Sequence, residues 1–133
     1  MHRNIIYNKK LGNRGFSLVE MITAVGIIGI ILFLAIPNII KVREDSERSL
    51  AIARAESLNM AMASFMQANG RANAKTFWNG KTNTQRYAAV TPYLQFAPTS
   101  LSSFLPGYGI VFPITLGNQQ KVALSLDGTS INY

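Results

Sequence analysis

Residues 16–36 read FSLVEMITAVGIIGIILFLAI, an apolar run carrying one charge, Glu20. Coiled as a helix, these 21 residues span about 30 Å, the thickness of one hydrocarbon core. Every face of that helix is apolar, so it is not an amphipathic surface helix. A chain of 133 residues leaves too little sequence to surround it as the central helix of a soluble core. We read the run as a membrane span. A cleaved secretory signal requires a small-x-small site after a shorter apolar core. The run ends Leu34-Ala35-Ile36-Pro37 and offers no such site.

Charge orients the span. The chain holds 13 Lys+Arg against 6 Asp+Glu, a formal +7. Residues 1–15 contain Arg3, Lys9, Lys10 and Arg14 with no acid, so the N-terminal side is expected to stay cytoplasmic. Residues 16–69 are close to neutral. Residues 70–133 carry Arg71, Lys75, Lys81, Arg86 and Lys121 against Asp127. A nucleic-acid site requires these cations to cluster, with Trp78, Tyr87, Tyr93 and Phe96 as stacking platforms. Aromatic residues in so small a domain are first needed for its core, and we expect these four as anchors. Nucleic acid is therefore an unlikely partner.

Catalytic, metal and cofactor constellations are absent. There is no cysteine and one histidine, His2. No disulfide, thiolate site or multi-histidine site can form within one chain. Beyond Glu56 the acids reduce to Asp127. No carboxylate pair or phosphate-cradling loop is present. No catalytic residue, metal ligand or cofactor is assigned.

Glu20 is anomalous, because a carboxylate in an apolar helix is unfavourable by a few kcal/mol unless partnered. Two readings stand. It sits at headgroup depth in the first turn, where it complements the helix dipole. Alternatively, another molecule supplies its partner. Gly26 and Gly29 each weaken the helix by about 1 kcal/mol relative to alanine and suit close packing between membrane helices. Pro37 removes a backbone donor and is expected to kink the helix.

The helix continues past the membrane. Lys41/Asp45, Arg43/Glu47 and Glu44/Arg48 are opposite-charge pairs four apart, as on a solvated surface. Ala51, Ala55, Leu58, Met62 and Phe65 or Met66 then form one apolar stripe. Met60, Met62 and Met66 read as core filler. Gly70 is the expected stop. The C-terminal segment is expected to cover the stripe. Residues 70–108 read as a loop with one or two short helices, Pro92 starting one of them. Residues 109–133 read as a three-stranded antiparallel meander. Asp127-Gly128 marks a tight hairpin placing Leu126 opposite Thr129, Leu124 opposite Ile131, and Val122 opposite Tyr133. A three-residue loop at 117–119 would set Ile114 opposite Val122 and Phe112 opposite Leu124. Pro113 is expected on the edge strand or at a bulge.

The stretch Lys9-Lys10-Leu11-Gly12-Asn13-Arg14-Gly15-Phe16-Ser17-Leu18-Val19-Glu20, with the apolar run and Pro37, resembles the processing site of type IV prepilins and type II secretion pseudopilins. The resemblance is strong over residues 9–40. It implies a prepilin leader over 1–15, a transmembrane and assembly helix over 16–40, its exposed continuation over 41–69 and a small C-terminal domain over 70–133. The fold expected is α+β and pilin-like, with the long helix packed on the small sheet.

The resemblance also implies roles. Prepilin peptidase would cut between Gly15 and Phe16, and Phe16 would be N-methylated. Glu20 would neutralise the Phe16 amine of an adjacent subunit, which answers the physical demand for a partner. The stretch holding Gly26, Gly29 and Pro37 would partly unwind in a filament. Further partners are other pilin or pseudopilin subunits, the bacterial inner membrane, and the secretion or pilus assembly machinery, with the C-terminal domain periplasmic. The function implied is a structural subunit of a type II secretion pseudopilus or a type IV pilus-like filament. Rival readings are a DNA-binding competence pilin and a single-pass membrane protein that never polymerises. Features the resemblance does not carry here are a calcium site, for which carboxylates are lacking, and a C-terminal disulfide.

Overall fold

A computed structural model describes residues 15–117 and 120–133. The leader assigned to 1–15 therefore lies outside the described residues except for Gly15. The helix α1, Leu18–Asn69, runs for 52 residues. It is followed by α2, Arg71–Trp78, and α3, Asn83–Val90. A 3₁₀ turn at Thr91–Tyr93 and α4, Leu101–Phe104, come next. The strands β1, Tyr108–Val111, β2, Ala123–Leu126, and β3, Thr129–Ile131, form one antiparallel sheet in the order β1-β2-β3. The α+β architecture expected from the sequence is what the chain forms. Two compact units divide within α1, one ending at Val42 and one spanning Arg43–Tyr133.

Local signals set the element ends. Gly70 takes φ 77 and ψ 141, a positive-φ conformation that glycine adopts readily and that stops α1 as expected. Thr82 caps α3 in a capping box. Its hydroxyl accepts from Gln85 N at 3.3 Å, and its own N–H donates to Gln85 Oε1 at 3.0 Å. Ser100 caps α4 through Ser103 N. These caps explain why residues 70–108 are more helical than the loop expected there. Pro92 does fall in the 3₁₀ turn.

Within the unit Arg43–Tyr133 the stripe of α1 is covered. Ala51, Ala55, Leu58, Met62 and Phe65 are all buried. Trp78 is fully buried and edge-on to Phe112, with ring centroids 5.8 Å apart. Three residues expected in the core behave otherwise. Met60 is exposed, because two positions beyond Leu58 lies on the opposite side of a helix. Phe96, expected as an anchor, is 98% exposed, on a backbone with φ 58. Tyr93 is partly exposed.

The β2–β3 hairpin has the expected register, Leu126 opposite Thr129 and Leu124 opposite Ile131. Asp127 at φ 49 and Gly128 at φ 79 supply the two left-handed residues of a tight primed turn. The Val122–Tyr133 pair lies beyond the ladder. There the Tyr133 hydroxyl donates to the Val122 carbonyl instead.

The β1–β2 register differs from expectation. Leu124 faces Ile110 rather than Phe112, a slip of two residues that keeps the apolar faces matched. Helical side chains are the reason. Asn83 Nδ2 donates to Ile110 O at 2.6 Å, and Phe112 N donates to Asn83 Oδ1 at 2.8 Å. Asn83 thus offers the edge of β1 what a further strand would offer. Trp78 Nε1 donates to Pro113 O at 2.7 Å, and Arg86 Nη2 to Ile114 O at 3.1 Å. Residues 112–114 are held by α2 and α3, so β1 ends at Val111 and Pro113 lies outside it. Ile114, expected to point inward, is exposed.

Candidate functional site

The candidate site is the start of α1. Gly15, Phe16 and Ser17 precede the helix, and Phe16 is exposed. The Ser17 carbonyl accepts from Met21 N at 3.1 Å, the first helical bond. Ser17 Oγ accepts from Val19 N at 3.2 Å, and Ser17 N donates to Glu20 Oε2 at 2.8 Å. Together these satisfy donors that every helix N-terminus leaves free. The sequence reading took Glu20 as a lone carboxylate and overlooked Ser17. The signal was present, since Ser-x-x-Glu before an apolar run is a capping-box pattern.

Gly15 is not demanded by the chain's own folding. It lacks a left-handed φ, and a Cβ added to it would meet no atom within 4 Å. The same open space surrounds Gly26 and Gly29. No contact among the described residues explains any of the three glycines. Pro37 lies inside α1, which runs through it unbroken.

An 18-residue window of α1 has mean hydropathy 2.6, and none of it is buried. The core helix of a soluble protein would be mostly enclosed, and among the described residues nothing encloses this window. By length and composition the helix can cross a membrane. Val25, Ile30, Phe33 and Leu34 are each more than half exposed. Transfer of such side chains out of water is favourable by about 1.5–3 kcal/mol each. This surface therefore belongs in lipid or against other helices.

The candidate nucleic-acid residues do not assemble. Arg86 is buried, its guanidinium 5.8 Å from the Trp78 ring centroid, and its Nε finds no hydrogen-bond partner among the described residues. Trp78 and Tyr87 are buried and offer no stacking face. Lys81 lies 5.0 Å over the Phe77 ring. Arg71 and Lys75 remain exposed on α2. Among the described residues no group of three His, Cys, Asp or Glu could hold a metal ion.

Comparison with known proteins points to the same end of the chain. The prokaryotic N-terminal methylation motif matches residues 10–36, which include Gly15, Phe16, Glu20, Gly26 and Gly29. The type IV major pilin protein PilA of Myxococcus xanthus (strain DK1622) is 42% identical over 59 residues. That match covers 44% of this chain and 27% of the relative, so the chain spans about a quarter of the curated relative it matches. No solved structure matches. The motif at the start of a long N-terminal helix, the three-stranded sheet at the other end and the pilin relative together support a chain similar to type IV pilins.

Proposed function

We propose that the chain is a structural, non-catalytic subunit of a pilus-type filament, made as a membrane-anchored prepilin and assembled through α1. The observation that carries this is the unburied apolar helix of the methylation-motif region, which finds no cover among the described residues. Prepilin peptidase cuts between Gly15 and Phe16, where the backbone is outside the helix and Gly15 has open space around it. The Phe16 amine is methylated, and Glu20 of an adjacent subunit neutralises it. In a low-dielectric surround the ammonium and carboxylate attract strongly, and either one alone is costly. The pair thereby fixes the stagger of neighbouring subunits.

Gly26, Gly29 and Pro37 mark the part of α1 that packs against neighbours and loosens on entry into the filament. Pro37 leaves the Phe33 carbonyl without its helical donor. Each glycine lowers helix stability by about 1 kcal/mol. The precursor lies in the bacterial inner membrane with its N-terminus cytoplasmic and residues beyond the span periplasmic. The filament is a type IV pilus or a type II secretion pseudopilus, and the pilin relative supports the pilus-type subunit common to both readings. The competence-pilin reading loses support with Arg86 and Trp78 buried.

The test is the mature N-terminus, measured by mass spectrometry in cells with and without prepilin peptidase. Methylated Phe16 is expected only where the peptidase is present. Any other N-terminus overturns the processing scheme. Glu20→Ala should be processed normally yet enter filaments about a hundredfold less well, the order expected when one partner of a buried ion pair is removed. Undiminished filaments would leave a single-pass anchor as the better reading.

A further inference from the structure

The assembly reading gives Glu20 a partner in the next subunit, and the geometry at the start of α1 indicates what holds it ready. We propose that Ser17 is the positioning residue for Glu20, fixing its carboxylate through the Ser17 backbone N–H, itself held by the Ser17 hydroxyl, while one oxygen stays available to a second copy. The proposal rests on the assembly role of Glu20.

Ser17 N donates to Glu20 Oε2 at 2.8 Å, and among the described residues Oε1 accepts no hydrogen bond. Ser17 Oγ receives Val19 N at 3.2 Å, which holds Ser17 at the cap position. A free glutamate side chain loses rotamer freedom when it pairs, and one already held loses less. The Ser17 N–H also solvates half of the carboxylate before it enters an apolar surround, where an unsatisfied oxygen is costly. The positive end of the helix dipole acts in the same direction. Phe16 lies outside α1, so its nitrogen is not consumed as a helical donor and is available after cleavage. The same short segment thus presents an ammonium on one subunit and an oriented carboxylate on the next.

The test is competitive assembly, in which each variant is co-expressed with wild type and its share of purified filaments is read by intact mass. Ser17→Ala should lower incorporation about fivefold, the scale of one lost helix cap. Its mature N-terminus should remain methylated Phe16. Ser17→Thr should restore incorporation, because threonine caps nearly as well. In a Glu20→Gln background, read at a higher ratio of variant to wild type, Ser17→Ala should add no further loss.

Wild-type incorporation of Ser17→Ala overturns the proposal. So does an equal loss in both backgrounds, which would make Ser17 a helix cap and nothing more. Failed cleavage of Ser17→Ala would move Ser17 to peptidase recognition and likewise overturn it. If Glu20→Gln itself assembles as wild type, the assembly role of Glu20 falls and the role of Ser17 falls with it. In every other outcome only Ser17 is judged.

Discussion

The two units of this chain use apolar residues in opposite ways. From Leu18 to Val42, isoleucine, leucine and valine are spread around every side of the helix, and none is buried among the described residues. From Arg43 onward, the buried apolar residues of one stripe of α1 join those of the short helices and of one face of the sheet in a single core. The first pattern needs an external surround, and the second needs only its own chain. One continuous helix carries both, so helix formation is not what separates them. The separation comes from periodicity, since a stripe can be covered by a small domain and a full circumference cannot.

The largest expected difference comes from making one substitution in both regions. Leu58→Ala should lower the unfolding stability of the full chain in detergent by about 2–5 kcal/mol, as for other leucines removed from packed cores. Leu58 is fully buried and Leu32 is exposed. Leu32→Ala should change stability by about 0.5 kcal/mol or less. Thermal unfolding of the two variants side by side checks this, and similar losses would dissolve the distinction.

Asn83 tests whether the second unit is held by polar contacts as well as by packing. Asn83→Ala leaves the Ile110 carbonyl and the Phe112 amide without their partner. A loss of about 1–3 kcal/mol is expected. Hydrogen exchange should show the Phe112 amide opening first. Unchanged protection there would mean that β1 is fixed by the sheet alone.

The smallest effect is alkaline. Burial pushes the Tyr87 phenol above its ordinary value. Tyr133 is raised as well, mainly by burial and additionally by the Glu56 charge, against a hydrogen bond with Asn59 that lowers it. The folded unit therefore holds these protons more tightly than the unfolded chain. Its stability is full below the ordinary tyrosine value of about 10 and declines as pH rises through the raised values. Phenolate absorbance followed alongside unfolding should show both tyrosines ionising at higher pH in the folded chain than in the unfolded chain. Equal ionisation in the two states would remove the effect.

Much of this was legible in sequence because it rests on near neighbours. The apolar run, the stripe from Ala51 to Phe65, the stop at Gly70 and the Asp127-Gly128 turn each depend on residues a few positions apart. The helix caps at Ser17–Glu20 and Thr82–Gln85 were equally local and went unread. The first left Glu20 without its own-chain partner, and the second made residues 70–108 seem less helical than they are.

Sequence alone determined that this chain carries an uncovered apolar helix, a covered one beyond it and a motif at their start. These follow from composition and period, which a residue and its near neighbours specify. Tertiary structure decided the β1–β2 register, the burial of Arg86 and the exposure of Phe96. Each depends on which distant group arrives first at a backbone donor or an apolar face. Asn83 reaches β1 across 27 and 29 positions of sequence, and no local pattern announces it.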